Sequence, residues 1–223
     1  MMLTKEQARI RIAKRVAQEL NSHNELLFVN LGIGIPTLVA DYVNDNIIIQ
    51  SENGMLGVGG LAEGDKIDHQ LINASRQYVM ETQGCCYFDS STAFGMIRGG
   101  HIDVAVLGAF EADQLGNVAN WIIPGGKQLG VGGAMDLVSG AKKVIIAMQY
   151  LDKKGGSRVK KKCSLPVTGI SVVDMIVTDM AVFEIRQQKL YLVEIAPELS
   201  LEDIRSNTDA EFELGNDFKS MED

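Results

Sequence analysis

The chain has 223 residues, of which 46% are hydrophobic and 22% are charged, as in a globular protein with a sizeable core. Its formal net charge of −8 argues against a general attraction to nucleic acid or to anionic membranes. The sequence shows no apolar signal-peptide core, no membrane-spanning run and no cysteine framework for disulfides. We therefore expect a cytoplasmic protein with one domain over residues 1–215, a loosely held acidic tail over 216–223, and no nucleic-acid or membrane partner.

The first part of the chain predicts helices that alternate with buried strands. A capping-box pattern formed by Thr4 and Gln7 precedes apolar residues at helical spacing, which indicates an amphipathic helix. Runs of apolar residues without helical spacing indicate strands. The predicted elements are a helix at 5–20, a strand at 26–31, a helix that the loop 32–37 opens and that ends near 42, and a strand at 47–50.

The same alternation continues through the rest of the chain. Helices are predicted at 91–98 and 134–139, and strands at 104–107, 144–148, 175–178, 181–185 and 190–195. Strands that alternate with helices are typical of a parallel sheet covered on both faces. The predicted fold class is therefore α/β, with an open, mostly parallel sheet and helices on both faces, partly like a Rossmann arrangement.

Glu52 is the first candidate for catalysis, because it directly follows the predicted strand at 47–50 and precedes an Asn-Gly turn signal. Ligands of open α/β sheets bind at the carboxyl ends of the strands. A carboxylate at such a place can act as an acid, a base or a nucleophile. The alternative is an ordinary solvent-exposed glutamate in a turn, and the position of Glu52 alone does not separate the two.

Two glycine-rich segments invite a ligand-binding interpretation. Residues 57–62 fit a dinucleotide pattern formally, but they lack the strand-then-helix context that the pattern requires, so nicotinamide binding is disfavoured. Residues 125–133 lack the ending of a nucleotide-binding phosphate loop. The glycines at 132 and 133 precede a predicted helix, where their N–H groups can face an anion or oxyanion. Glycines required only for turn geometry explain the pattern equally well.

The remaining candidate groups favour structural roles. His23, His69 and His101 have no metal-ligand spacing, so no metal site is expected. A reactive thiol at Cys85 or Cys86 is disfavoured, because no histidine lies near them in sequence and buried cysteine is common. The basic segment 153–162 favours a solvated turn over a site for phosphates or an acidic partner.

Taken together, the segments resemble the β subunit of the family I coenzyme A transferases, the 3-oxoacid and acetoacetate group. The resemblance rests on motifs that occur in order over nearly the whole chain: NLGIGIPT at 30–37, QSENG at 50–54, LINA at 71–74, FDS at 88–90, IRGGHID at 97–103, NW at 120–121, GGAMDLV at 132–138, CSLP at 163–166 and AVF at 181–183. Each motif alone is weak, whereas the ordered set is highly specific. Departures at 75, 85–86 and 124–126 leave the choice of substrate open.

The resemblance implies that Glu52 is a nucleophile in a ping-pong reaction that passes through an acyl–glutamyl anhydride and a glutamyl-CoA thioester. It implies coenzyme A as a substrate and no permanently bound cofactor. An acyl-CoA and a carboxylic acid, such as acetoacetate, succinate, acetate or butyrate, are the other substrates. An acyl-CoA hydrolase that uses the same glutamate is the alternative enzyme, and a non-catalytic binding module on the same fold is the third hypothesis.

The resemblance also implies roles for other residues and a second subunit. The backbone amide of Gly133 is the expected oxyanion donor on this chain, and a second donor is expected from an α subunit in an α2β2 hetero-oligomer. Asn53, Arg76 and Lys127 are the candidates for contacts with coenzyme A or the acid substrate.

Overall fold

Strands dominate the computed structural model, which describes residues 3–123, 125–126 and 128–221. In chain order they are β1 Leu27–Leu31, β2 Ile47–Ser51, β3 Met55–Leu61, β4 Val79–Tyr87, β5 Val104–Leu107, β6 Glu111–Asp113, β7 Val118–Ala119, β8 Lys143–Ala147, β9 Val159–Lys160, β10 Met175–Val177, β11 Ala181–Arg186, β12 Lys189–Ile195 and β13 Glu213–Ser220. The α-helices are α1 Lys5–Asn21, α2 Ser90–Arg98, α3 Ala134–Gly140 and α4 Leu201–Ser206, and short 3₁₀ helices lie at Pro36–Asp41 and Gly64–Lys66.

Ten of these strands form one sheet in the order β13-β12-β11-β10-β8-β5-β1-β2-β3-β4. The central strands β10, β8, β5, β1 and β2 run parallel to one another. On one side the antiparallel hairpin of β3 and β4 extends the sheet, and on the other side β11 and β12 do so. Strands β7, β6 and β9 form a separate small sheet. The α/β class and the largely parallel sheet are confirmed.

Helices cover both faces of the sheet, as the sequence predicts. Successive side chains of a strand point to opposite faces. Val104 and Val106 of β5 belong to the core that α1 covers, whereas Ala105 and Leu107 belong to the core that α2 and α3 cover. The strand is buried along its whole length for this reason, and its run of apolar residues is the signal that made it predictable.

Helix α1 begins where its sequence predicts. Thr4 accepts a hydrogen bond from the backbone of Gln7, and the Gln7 side chain accepts one from the backbone of Thr4, which completes the capping box. The buried side of the helix includes Ile12, Val16 and Leu20, which pack against the central strands. In the described part of the chain, no helix combines the length and the apolar character needed to cross a membrane.

Several segments differ from their prediction. The helix expected after the loop 32–37 is a 3₁₀ helix at Pro36–Asp41 rather than an α-helix. The glycine-rich segment after Glu52, for which no strand is predicted from the sequence, is strand β3, paired with β4. Residues 216–220, expected in a loosely held tail, lie within β13, which pairs in parallel with β12. An ion pair of 2.8 Å between Lys189 and Glu213 joins these two strands at the start of β13.

Candidate active site

Glu52 is the first residue after β2 and begins the tight turn that leads into β3. The turn is closed by its own hydrogen bond and is fixed to two neighbouring segments. The Gly54 amide donates to the Ser51 carbonyl at 3.0 Å, and the Gly54 carbonyl accepts from the Phe88 amide at 3.0 Å. The Asn53 side chain donates to the carbonyl of Ile72 at 2.7 Å. Glu52 is therefore held on a braced turn at the end of a central strand.

Gly54 is required at this turn for two reasons. Its φ of +118° lies in a region that residues with a side chain rarely adopt. In addition, a β-carbon at this position would lie 2.1 Å from the carbonyl oxygen of Phe88. The backbones of the turn and of the segment before α2 can approach this closely only because no side chain separates them.

A cavity of about 470 Å³ lies at the carboxyl ends of β1, β2 and β5. Each of these strands is followed by residues that line it: Gly32 and Ile33 after β1, Glu52 after β2, and Gly108 and Ala109 after β5. The segment 129–134 forms another part of the wall. This is the place where open α/β sheets bind their ligands.

Glu52 is the only ionisable residue among those of the described chain that line this cavity. The other lining residues are glycines, two asparagines and apolar side chains such as Leu107, Phe110 and Val131. Within the described residues, the half-buried carboxylate of Glu52 has no hydrogen-bond or ion-pair partner. A carboxylate that nothing else engages, in an otherwise uncharged cavity, is available to react with a bound electrophile.

Gly133 lies beside Glu52 in the same cavity. It precedes α3, and a β-carbon built on it would lie 3.6 Å from Cγ of Glu52. The Gly133 carbonyl accepts the hydrogen bond from the Leu137 amide, whereas the Gly133 N–H donates to no group in the described chain. The structure thus brings together the two residues to which the sequence assigns the nucleophile and the oxyanion donor.

Asn30 is a polar residue of the cavity that sequence reasoning did not single out beyond its place in a motif. It is fully buried in β1, and its Nδ2 donates to Oε1 of Gln50 at 2.7 Å. Its Oδ1 is buried and has no partner within the described residues. A polar residue within the otherwise apolar run 26–31 was the signal that could have found it, because a buried polar group needs a hydrogen-bond partner or another explanation.

The predicted binding residues have different surroundings. Asn53 is exposed and braces the turn through its contact with Ile72, and it is not among the residues that line the cavity. Arg76 is exposed, has a φ of 62°, and lies two residues beyond Ala74, which does line the cavity. Lys127 lies outside the described residues. Their roles in binding remain predictions.

Two of the thiols, those of Cys163 and Cys85, are poorly suited to nucleophilic chemistry. Burial raises the pKa of Cys163 to about 12, with the nearby carboxylates of Asp113 and Glu111 acting in the same direction. Partial burial also raises the pKa of Cys85. A raised pKa keeps a thiol protonated at neutral pH and lowers its reactivity.

The basic segment 153–162 contains strand β9 and a turn. Lys160 forms an ion pair of 2.7 Å with Asp209, and Lys161 forms one of 2.5 Å with Glu211. Two of its cations are therefore already matched by carboxylates of the same chain, which supports the interpretation of this segment as a solvated structural turn. Among the described residues, no group of three or more His, Cys, Asp or Glu side chains could hold a metal ion.

Comparison with known proteins gives consistent matches over most of the chain. The family profile described as "Coenzyme A transferase" matches residues 9–207. The chain is 50% identical over 204 residues to the B subunit of succinyl-CoA:3-ketoacid coenzyme A transferase of Helicobacter pylori, a match that covers 91% of this chain and 97% of that protein. It is 47% identical over 213 residues to the beta subunit of acetate CoA-transferase of Haemophilus influenzae, covering 95% of this chain and 94% of that protein.

The fold is also found among solved structures. A crystal structure of acyl-CoA transferase from Escherichia coli O157:H7, a thioester complex with CoA, aligns with a TM-score of 0.72 at 25% sequence identity. The alignment covers 100% of this chain and 44% of that chain. This chain therefore spans less than half the length of that solved structure.

Proposed function

The chain belongs to the coenzyme A transferase family, and we propose that it transfers coenzyme A between an acyl-CoA and a free carboxylic acid through a glutamyl-CoA thioester on Glu52. It is the CoA-transferase β subunit, the counterpart of the B and beta subunits among its relatives. We propose 3-oxoacids and short-chain acids as its substrates, an α subunit as its partner in an α2β2 complex, and the cytoplasm as its location.

One observation gives the strongest support for Glu52 as the nucleophile. It is the only ionisable residue among the described residues of the cavity wall, and its carboxylate is unpaired there. The structure of the similar acyl-CoA transferase of E. coli O157:H7 is a thioester complex with CoA, which is consistent with the thioester intermediate proposed here.

The proposed reaction begins with attack of a Glu52 carboxylate oxygen on the thioester carbonyl carbon of the acyl-CoA. The C–S bond breaks, and the products are an acyl–glutamyl anhydride and the CoA thiolate. The thiolate then attacks the glutamyl carbonyl of the anhydride, which releases the first carboxylate and leaves a glutamyl-CoA thioester. No proton is consumed, because each nucleophile and each leaving group is an anion.

The second half of the reaction runs the same two steps in the opposite order. The acceptor carboxylate attacks the glutamyl-CoA thioester and displaces the thiolate, which gives a new anhydride. The thiolate attacks the acyl carbonyl of that anhydride, and Glu52 leaves as a free carboxylate. Both intermediates are open to hydrolysis, and the largely apolar cavity wall favours the exclusion of water.

Each tetrahedral intermediate carries a negative oxygen that hydrogen-bond donors must stabilise. We propose the backbone amide of Gly133 as the donor on this chain, since it adjoins Glu52 and is not engaged by another described residue. A second donor is proposed to come from the α subunit.

Contacts with the rest of the substrates are proposed for four further residues. Asn30 lines the cavity, and we propose its buried, unpartnered Oδ1 as an acceptor for a substrate group that reaches it. The other proposed contacts for CoA or the acid are Asn53, Arg76 and Lys127.

The proposal is tested by covalent trapping. The chain is co-purified with its α subunit, incubated with acetoacetyl-CoA or succinyl-CoA without an acceptor, treated with borohydride or hydroxylamine, and analysed by peptide mass spectrometry. We expect modification at Glu52, and we expect Glu52→Ala and Glu52→Asp to lower turnover by at least about 10³-fold. Glu63→Ala is the matched control, because Glu63 is exposed and lies outside the cavity.

Each outcome distinguishes among the hypotheses. Modification at another residue, or full turnover of both Glu52 variants, would contradict the proposed mechanism. Release of free CoA at an equal rate with and without acetate or acetoacetate would identify a hydrolase instead of a transferase. An acyl-CoA that binds but is never turned over would identify a binding module.

A further inference from the structure

Gly133 is packed between two side chains from different parts of the chain. A β-carbon built on it would lie 3.1 Å from Cζ and 3.2 Å from Cε1 of the Phe94 ring, and 3.6 Å from Cγ of Glu52. The ring of Phe94, which belongs to α2, therefore supports the backbone of Gly133 next to Glu52. Because Gly133 has no side chain, its position depends on what its backbone contacts.

The Phe94 ring is itself part of a connected group of side chains. Arg98, one helical turn later on α2, places its guanidinium carbon 5.6 Å from the centroid of the ring. The Nε of Arg98 also donates to Oδ1 of Asp136 at 2.7 Å. Asp136 lies in the first turn of α3, three residues after Gly133. Arg98 thus contacts both the Phe94 ring, which packs against Gly133, and helix α3, which directly follows Gly133.

We propose that Phe94 and Arg98 are positioning residues, which set the place of the Gly133 amide relative to Glu52. The proposal rests on the proposed roles of Glu52 and Gly133. An oxyanion donor acts only when it points at the site where negative charge develops, and a displacement of about 1 Å can cost roughly 10²-fold in rate. A backbone donor cannot be re-aimed by a side-chain rotamer, so its surroundings must hold it.

Because Arg98 is exposed, a role in stabilising the fold can be tested separately from a role in positioning the Gly133 amide. The Arg98 side chain is 67% exposed, so its removal should leave the fold intact. A matched pair exists at the other end of α3, where Lys142 is 64% exposed and contacts Asp103 at 2.8 Å. Lys142→Ala therefore removes a similar surface ion pair without touching Phe94 or Gly133.

The test measures kcat, both KM values and the rate of glutamyl-CoA formation in the complete α/β complex. We expect Phe94→Leu to lower kcat about tenfold or more and Arg98→Ala about three- to tenfold, with each KM changed less than about twofold. Arg98→Lys should restore most of kcat, and Lys142→Ala should match the wild type. Asp136→Ala should act like Arg98→Ala, and the double variant should lose no more than either alone.

Three results would overturn the proposal. The first is an unchanged kcat in both Phe94→Leu and Arg98→Ala. If the wild-type complex is still labelled on Glu52, this result rejects the positioning role but not the proposed function. The second is a loss of activity in each variant that is fully explained by a smaller fraction of folded protein, as measured by thermal unfolding. The third is a wild-type complex that transfers CoA without labelling Glu52, because then the proposed function fails and the positioning role fails with it.

Discussion

The Phe94 ring leaves little free space beside Gly133, and the smallest side chain is enough to test this contact. In Gly133→Ala the new methyl group would lie 3.1 Å from Phe94, so the ring or the backbone must shift by a few tenths of an ångström. The amide remains present in this variant, and a shift of the backbone displaces it relative to Glu52. We expect kcat to fall severalfold, up to about tenfold, because a donor displaced by less than about 1 Å stabilises the oxyanion less well.

The measurement is the rate of glutamyl-CoA formation in the α/β complex, followed by quenching and mass spectrometry. Gly95→Ala is the control on α2, since a β-carbon there would meet no atom within 4 Å. An unchanged rate in Gly133→Ala would show that the amide position at this residue does not matter for the reaction.

Among the secondary-structure elements, the turn between β2 and β3 determines where Glu52 lies. In Gly54→Ala the added carbon would meet the carbonyl of Phe88 at 2.1 Å, and the φ of +118° would strain the backbone as well. We expect the free energy of unfolding to fall by roughly 2–4 kcal/mol, through strain and overpacking together. Urea denaturation monitored by circular dichroism measures this change.

Gly84→Ala separates the two contributions to that change. Gly84 lies in β4 with a φ of +84°, but a β-carbon there would meet no atom within 4 Å. We expect a smaller loss of stability from backbone strain alone. Equal losses in the two variants would contradict the proposed clash at Gly54.

The central elements were predictable because their sequence signals are local. Strands β1, β2, β5 and β8 are covered on both faces, so each appears as an apolar run, and α1 carries its own capping box. The hairpin of β3 and β4 was missed because β3 is rich in glycine and β4 is a polar, mostly exposed edge strand with irregular register. Its pairing depends on distant contacts that no local pattern records.

The candidate site was predictable only in part, for the same reason. The position of Glu52 at a strand end follows from the sequence, and Gly133 was identified through the resemblance to a family. The support of Gly133 by Phe94 joins residues 39 positions apart in sequence, and the unpartnered Oδ1 of Asn30 depends on its burial in the sheet. Tertiary packing alone creates both features.

At the scale of the whole molecule, ion pairs connect helix α1 to strands β8 and β12 of the sheet that it covers. Arg15 contacts Glu194 of β12 at 2.7 Å and also contacts Glu19 at 3.2 Å. Glu19 in turn contacts Lys143 of β8 at 2.8 Å. Because breaking a buried ion pair leaves an uncompensated charge, removal of Glu194 should be far more damaging than removal of a surface carboxylate.

This network predicts how stability depends on pH. Burial disfavours ionisation of Glu19, but the hydrogen bond and charge of Lys143 and the charge of Arg15 outweigh it, so the pKa of Glu19 lies below its ordinary value of 4.5. An acid whose pKa is lowered by folding contributes stability above its unfolded pKa and loses that contribution as the pH falls through the folded value.

We expect Glu19→Gln to lower the free energy of unfolding at pH 7, and we expect this loss to shrink below about pH 4.5. Urea unfolding of the two proteins at pH 7 and at lower pH measures the difference, with Glu25→Gln as an exposed control outside the network. A deficit that stays constant across this range would show that the charge of Glu19 does not hold α1 in place.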